Sequence, residues 1–265
     1  MSERIVVDRD GPVAKVQLNR PEKHNAVDRG MFEAFIDVGR SLAADRSLRA
    51  VVLTGAGDNF CAGIDVSVFA NGGEISPDRL APRADSDANF FQSAAYVWRE
   101  MPVPVIAALK GVVFGAGLQI ALGADVRIAH ADAKLSILEI KWGIVPDMGF
   151  ATVLPSLMPL DQALALTWTG RIVNGGEAAS LGLVTSLADD PERSALEFAG
   201  NVAGRSPDAI RAAKQLMKDA WADRDAELLR KEAEWQLRVL SAPNQREAVK
   251  ANLERREPTF VDSAL

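Results

Sequence analysis

The sequence predicts an α/β fold with layered sheet and helices, and three observations carry that expectation. Strand-like and helix-like segments alternate twice before residue 130, and the run Ala50-Val51-Val52-Leu53-Thr54-Gly55 reads as a strand buried on both faces. The hydrophobic fraction, 48% of 265 residues, is ample for a buried core.

The elements follow in order. Ile5-Val6-Val7 and Val13 to Leu18 flank Asp10-Gly11, a hairpin signal, and Val16 and Leu18 alternate with Gln17 and Asn19. Asp28 is placed to N-cap a helix whose apolar positions are Met31, Phe32, Phe35, Ile36 and Val38. After the Ala50–Gly55 strand, the stretch from Asn71 to Asp87 holds Gly72, Gly73, Pro77, Pro82 and several charges, and reads as a loop and the candidate for disorder. Phe90, Phe91, Ala94, Ala95 and Trp98 then recur at helical spacing and read as core. Val103 to Leu109 is a strand, Leu118 to Leu122 opens a helix, and Asp125 to Ala129 returns as a strand. From Ser206-Pro207-Asp208, a helix-start signal, the pattern is helical over Ala209 to Trp221, Leu228 to Leu240 and Gln245 to Arg256. The division expected is a core over 1–205 and a helical region over 206–265 that serves assembly and covers the site.

Composition excludes some functions. A formal net charge of −6, without a block of five or more Lys or Arg, argues against nucleic acid or an anionic membrane as main partner. The single cysteine, Cys61, rules out an intrachain disulfide framework, and the Cys and His positions offer no metal site. The segment Met1 to Ile5 lacks signal-peptide and transit-peptide character, and no apolar run has bilayer-spanning length, so the expected location is the cytoplasm.

The chemistry concentrates in three segments. Gly115-Ala116-Gly117-Leu118-Gln119-Ile120 reads as a close-approach turn into a helix, whose free N–H groups and positive dipole end favour developing negative charge. Glu139 follows Gln119 by twenty residues and supplies an ionisable carboxylate. Phe60-Cys61-Ala62-Gly63-Ile64-Asp65 ends a strand in small residues that can present a second N–H to the same point. Two fixed N–H groups and one carboxylate suit removal of a proton beside a thioester carbonyl, where charge builds on the carbonyl oxygen.

With Leu18-Asn19-Arg20-Pro21, Asn25-Ala26 and Arg255 to Phe260, these segments resemble the enoyl-CoA hydratase/isomerase (crotonase) family along nearly the whole chain. The resemblance implies a spiral of repeated β-β-α units and a C-terminal helical region that builds homotrimers or dimers of trimers. It implies an oxyanion hole from the N–H groups of Ile64 and Ala116. It also implies acyl-CoA contacts from Lys23, His24, Ala26, Ala62, Asp65, Val66 and Gly115. The substrate itself brings CoA, so neither a metal nor another cofactor is expected.

Departures from the family pattern narrow the activity. Hydratases of the family carry glutamates at the positions of both Gln119 and Glu139 to hold and activate water, and an amide orients water without exchanging a proton. Glu139 alone suffices to move a proton between carbons, so the favoured activity is an enoyl-CoA isomerase. The alternatives are a hydratase in which Gln119 only orients water, and a non-catalytic acyl-CoA binding protein. Asp147 carries two readings: an N-cap for a helix through Phe150, Ala151 and Val153, or a second acid like that of dienoyl-CoA isomerases, which also have Asp where this chain has Gln119.

Other residues read as structural. Asp65 is expected to fix its turn through its side chain, Cys61 to act as a small buried hydrophobe, and His130 to be structural, while Ser136 and Thr152 show no partner base. Arg255 and Arg256 have a solvated helix face as their default, with a CoA phosphate across a subunit interface as the alternative. Ile210, Leu216, Met217, Trp221, Leu228, Leu229, Trp235 and Leu237 place more apolar surface on the last three helices than a monomer tolerates, which predicts a closed symmetric oligomer.

Overall fold

The structure, a computed structural model, describes residues 3–70, 77–83, 86–221 and 225–260. Its strands are β1 (Ile5–Asp10), β2 (Val13–Leu18), β3 (Ala50–Gly55), β4 (Val105–Leu109), β5 (Val112–Phe114), β6 (Val126–Ala129), β7 (Lys134–Ser136), β8 (Val173–Asn174) and β9 (Ser186–Leu187). The helices of the first half are α1 (Arg29–Ala44), α2 (Ser67–Ala70), α3 (Pro77–Leu80), α4 (Phe90–Glu100) and α5 (Ala116–Leu122). Those of the second half are α6 (Phe150–Val153), α7 (Leu160–Thr169), α8 (Gly175–Ser180), α9 (Pro191–Ala203), α10 (Pro207–Trp221), α11 (Asp225–Ser241) and α12 (Pro243–Glu254).

Among the described residues the strands form a six-stranded sheet, ordered β1-β2-β3-β4-β6-β9, and a three-stranded sheet, β5-β7-β8. The β1–β2 hairpin is antiparallel and the rest of the large sheet is parallel, while β7 pairs parallel with β5 and antiparallel with β8. The path is a spiral. After β3 the chain touches the small sheet through the Cys61–Val113 bridge, then repeats the step from β4 to β5 and from β6 to β7.

Local chemistry explains the boundaries. The Asp28 carboxylate accepts the Met31 N–H at 2.9 Å and starts α1 as expected, while Asn89 and Gln92 form a reciprocal capping box on α4. Strand β4 begins at Val105 rather than Val103 because the preceding Pro104 has no N–H to give the ladder, although its carbonyl accepts from Val51 at 2.8 Å. Helix α5 begins at Ala116, two residues before the expected start, and α10 and α12 begin at Pro207 and Pro243, where proline fits the first turn. Of the expected Asn71–Asp87 loop, residues 71–76 and 84–85 lie outside the described residues. Pro77–Leu80 is a helical turn there, and Arg83 pairs with Ser86 in an isolated bridge.

The core fills both faces of the large sheet. One face meets α1, α4 and α5 through Phe32, Phe35, Phe91 and Trp98, with edge-on ring contacts between Phe32 and Phe91 at 5.3 Å and between Phe35 and Trp98 at 6.1 Å. The other face meets α9 through Ala195 and Ala199 against Ala50, Val52, Ile106 and Ile128. In the C-terminal helices Leu229 is buried, whereas Leu216, Met217, Trp235 and Leu237 are exposed on this chain, and the Trp221 side chain lies outside the description. Arg256 ties the end of α12 down through ion pairs to Glu247 and Glu254. Among the described residues no helix is long and apolar enough to cross a membrane.

Asn25 fastens the N-terminal strands to the turn after β3. Its backbone is left-handed at φ 56°, and its buried amide accepts from Arg20 N at 2.9 Å and donates to Ala56 O at 2.9 Å and Asn59 O at 2.8 Å. Asn25→Ala is therefore expected to lower stability by roughly 2–4 kcal/mol, because it strands buried partners in a backbone conformation that alanine disfavours. Urea denaturation compared with wild type reads that loss directly.

Candidate active site

Glycines let two backbone segments meet here. Gly115 sits at φ +49° at the start of α5 and donates its N–H to Ser136 O at 3.0 Å, and a Cβ placed on it would stand 3.3 Å from Glu139 Oε1. A Cβ on Gly117 would press to 2.6 Å from Cys61 O, and one on Gly63, at φ +98°, would reach 2.9 Å from Phe114 O and 3.8 Å from Ala116 N. The Cys61–Ile64 segment is thus laid directly on the first turn of α5. Val27 N donates to Gly63 O at 2.8 Å and Asp65 N to Val27 O at 2.9 Å, so the bridge to Val27 uses the groups on either side of the Ile64 N–H. Among the described residues the N–H groups of Ile64 and Ala116 have no acceptor in the chain.

Opposite these N–H groups stands Glu139, in a single 3-10 turn (Glu139–Trp142) after β7. Gln119, on α5, donates from Nε2 to Glu139 Oε1 at 2.6 Å, and its Oε1 accepts the Met148 N–H at 2.8 Å. The amide is held at both ends, and Glu139 Oε2 is buried with no hydrogen-bond partner among the described residues. Burial pushes the Glu139 carboxyl up to about 7, against the opposing pull of hydrogen bonds from its own backbone and from Gln119.

Asp147 is a second buried carboxyl on the same wall. Burial, then the negative charges of Glu232 and Glu139, raise it well above the usual carboxylate range, against a hydrogen bond with Gln236. The expected N-cap reading of Asp147 does not hold. The cap of α6 is Gly149, in the left-handed conformation and with no side-chain bond. The free N–H groups of that helix start are taken by Glu232 of α11, which accepts from Gly149 at 2.9 Å and Ala151 at 2.6 Å.

A cavity of about 330 Å³ brings most of the candidate residues together: Lys23, Ala26, Ala62, Ile64, Asp65, Val66, Gly115, Ala116, Gln119, Glu139 and Asp147 all line it. His24 does not line it. Its backbone is left-handed at φ 49°, and its Nδ1 lies 3.0 Å from Asn59 Nδ2, which anchors the ring to the turn after β3. Asp65 receives the Ser67 N–H at 3.0 Å and Arg20 Nη1 at 3.1 Å, the turn-fixing role its position suggests. Cys61 is fully buried, its thiol pushed up to about 12 by desolvation. His130 Nδ1 accepts the Asp132 N–H at 3.1 Å, Ser136 Oγ donates to Gly170 O at 2.7 Å and Thr152 Oγ1 to Gly149 O at 2.7 Å, all outside the cavity lining.

Sequence reasoning missed Leu138 and Lys141 in the lining, and it missed Glu232 and Gln236 behind Asp147. The signal for the last two was two polar residues four apart on a helix, both buried, and nothing in a polar i,i+4 pair distinguishes an inward face from a solvated one.

The sequence profile of enoyl-CoA hydratases/isomerases matches residues 8–263. The chain belongs to the enoyl-CoA hydratase/isomerase family. It is 34% identical over 225 residues to the carnitinyl-CoA dehydratase of Salmonella typhi, covering 82% of this chain and 81% of that protein. It is 29% identical over 262 residues to an enoyl-CoA hydratase of Mycobacterium tuberculosis, covering 96% and 95%. The crystal structure of an enoyl-CoA hydratase/isomerase from Pseudoalteromonas atlantica superposes with a TM-score of 0.85 at 28% identity, over 97% of this chain and 100% of that one. The spiral of two sheets is accordingly the crotonase fold, and acyl-CoA processing is the family's business.

The raised Glu139 carboxyl has a consequence for folding that needs no substrate. The folded form holds that proton up to about 7 and the unfolded form releases it near the ordinary value of 4.5, so this contribution is present below the lower value and fades as pH rises between them. Glu139→Gln, which cannot ionise, is expected to be more stable than wild type by roughly 1–3 kcal/mol at about pH 8, with most of that difference gone near about pH 5. Urea melts of both proteins at the two pH values measure it.

Proposed function

We propose that this chain shifts the double bond of an enoyl-CoA thioester, with Glu139 as proton carrier, Asp147 as a second acid/base group and the Ile64 and Ala116 N–H groups as oxyanion donors. The observation that carries the reading is a pair of buried carboxyls lining one cavity, Glu139 being bonded to an amide at position 119 where water activation would call for a second glutamate.

In a 3-enoyl-CoA, the ionised Glu139 takes a proton from C2. The C–H electron pair flows into the thioester, and the charge on its oxygen is met by the two N–H groups. The dienolate then collapses, a proton is delivered to C4 from Glu139 or Asp147, and the double bond comes to lie between C2 and C3. No proton is gained or lost overall. A carboxyl near 7 suits a group that must take and return a proton around neutral pH, and Asp147, raised well above the usual carboxylate range by burial, suits a second acid/base group beside it.

Water addition or removal is the second reading, and the names of the dehydratase and hydratase relatives favour it. In that reading Gln119 orients the water and Glu139 carries every proton. An acyl-CoA binder without turnover is the third. Product analysis of the purified protein with cis-3-enoyl-CoA, trans-2-enoyl-CoA and a 3,5-dienoyl-CoA separates them: fastest turnover of a 3-enoyl or dienoyl substrate is expected. Hydration of crotonyl-CoA at a comparable rate overturns the isomerase reading, and no turnover of any of the three leaves the binder.

Two variants assign the carboxyls. Glu139→Gln is expected to lower kcat by about 10²–10⁴-fold with acyl-CoA binding nearly unchanged, and Asp147→Asn to cut dienoyl-CoA isomerisation sharply while sparing stability. Stopped-flow turnover and calorimetric binding of a saturated acyl-CoA check both, and wild-type rates in either variant remove that residue from the mechanism.

The assembly proposed is a homotrimer or dimer of trimers, supported by the exposure of Leu216, Met217, Trp235 and Leu237 on the single chain. Light scattering at micromolar concentration is expected to give three or six chains per particle, and a monomer contradicts it.

A further inference from the structure

Glu232 is a buried carboxyl with only 6% of its surface exposed, on a helix with no described residue in the cavity lining. Its two oxygens accept from Gly149 N at 2.9 Å, Ala151 N at 2.6 Å and Gln92 Nε2 at 3.2 Å. These three groups are N–H donors, which suits a carboxylate, an acceptor with lone pairs only. Gln92 is itself held, donating to Leu229 O at 2.8 Å and closing the capping box of α4. One turn further along α11, Gln236 Oε1 accepts the Val145 N–H at 3.1 Å.

The segment Val145–Ala151 is therefore strapped on both sides. From the cavity side the Gln119 amide holds Met148 N, and from behind, Glu232 and Gln236 hold Val145, Gly149 and Ala151. We propose that Glu232 is the positioning residue of this site: by taking the Gly149 and Ala151 N–H groups it braces the strap that carries Asp147 and holds a carboxylate charge against it. The proposal rests on the reading of Asp147 as an acid/base group.

The charged surroundings are consistent with that assignment. Glu139 faces Asp147 from the 3-10 turn and Glu232 from α11, both negative when ionised. Lys141 lines the same cavity from the 3-10 turn, and Lys23 and Asp65 line it too, Asp65 being paired with Arg20 at 3.1 Å. Gln119 and Gln236, the side chains that hold the strap beside Glu232 from α5 and α11, are amides and carry no charge. Two anions close to a carboxyl, with no cation bonded to it among the described residues, raise it above its ordinary range.

The test is a carbon-13 NMR titration of carboxyl-labelled aspartate, with the Asp147 signal assigned by its loss in Asp147→Asn. In Glu232→Gln, the Asp147 midpoint is expected to fall by about one pH unit, and the high-pH limb of the kcat profile to fall with it, while KM for the thioester holds. A folded Glu232→Gln protein with an unmoved Asp147 midpoint overturns the proposal. Should that variant not fold, Glu232→Asp carries the test: it keeps the charge but falls short of the α6 N–H groups. Its kcat is expected to drop with KM held, and a wild-type kcat overturns the bracing role. If Asp147→Asn turns over normally, the acid/base reading of Asp147 has failed instead, and the Glu232→Gln midpoint still shows by NMR whether the charge acts on Asp147.

Discussion

The approach of one backbone segment onto another, Cys61–Ile64 against the first turn of α5, is the constraint on which the rest of the site depends. Three positions, Gly63, Gly115 and Gly117, must lack a side chain for it, since a Cβ at any of them would crowd Phe114 O, Glu139 Oε1 or Cys61 O. Given that approach, Ile64 and Ala116 both line the cavity, and among the described residues their N–H groups have no acceptor. A peptide N–H without a partner is unfavourable, and a ligand oxygen is what the proposed oxyanion role would supply to these two.

The remainder of the site is a polar chain built outward from α5. Gln119 joins the 3-10 turn carrying Glu139 to the strap carrying Asp147, and the strap is joined in turn to α11 and, through Gln92, to α4. The side-chain amides donate and accept at the same time, which fixes their orientation, and the carboxylates are left to take up N–H groups. A neutral amide at 119 also adds no charge between the two carboxyls. Burial raises both, Glu139 to about 7, and the charges of Glu232 and Glu139 raise Asp147 further.

Among the described residues the C-terminal helices do not line the cavity, yet they bond to the segment that does. A reading of the chain as a catalytic core followed by an appended helical region divides what the hydrogen bonds join, because Glu232 and Gln236 belong to α11 and their partners to the loop before α6. The remaining apolar face of these helices stays exposed on the single chain.

Much of this was legible in the sequence, for physical reasons that act locally. The Asp10-Gly11 hairpin, the Asp28 cap and the continuous apolar run of β3 depend on neighbours a few residues away, and each lies where the pattern puts it. The glycines around Ala116 and the carboxylate at 139 announced a site for charge on an oxygen, and the structure brings them to one cavity. What only the tertiary structure decided involves partners far apart along the chain. His24 was turned to Asn59, Asp147 was left uncapped because Glu232, more than eighty residues on, took the helix N–H groups, and the strands β8 and β9 form only because longer strands offer them an edge. Periodicity and capping propensity report the preference of a segment for itself. Which buried acceptor reaches a free N–H first is settled by packing, and no local pattern records it.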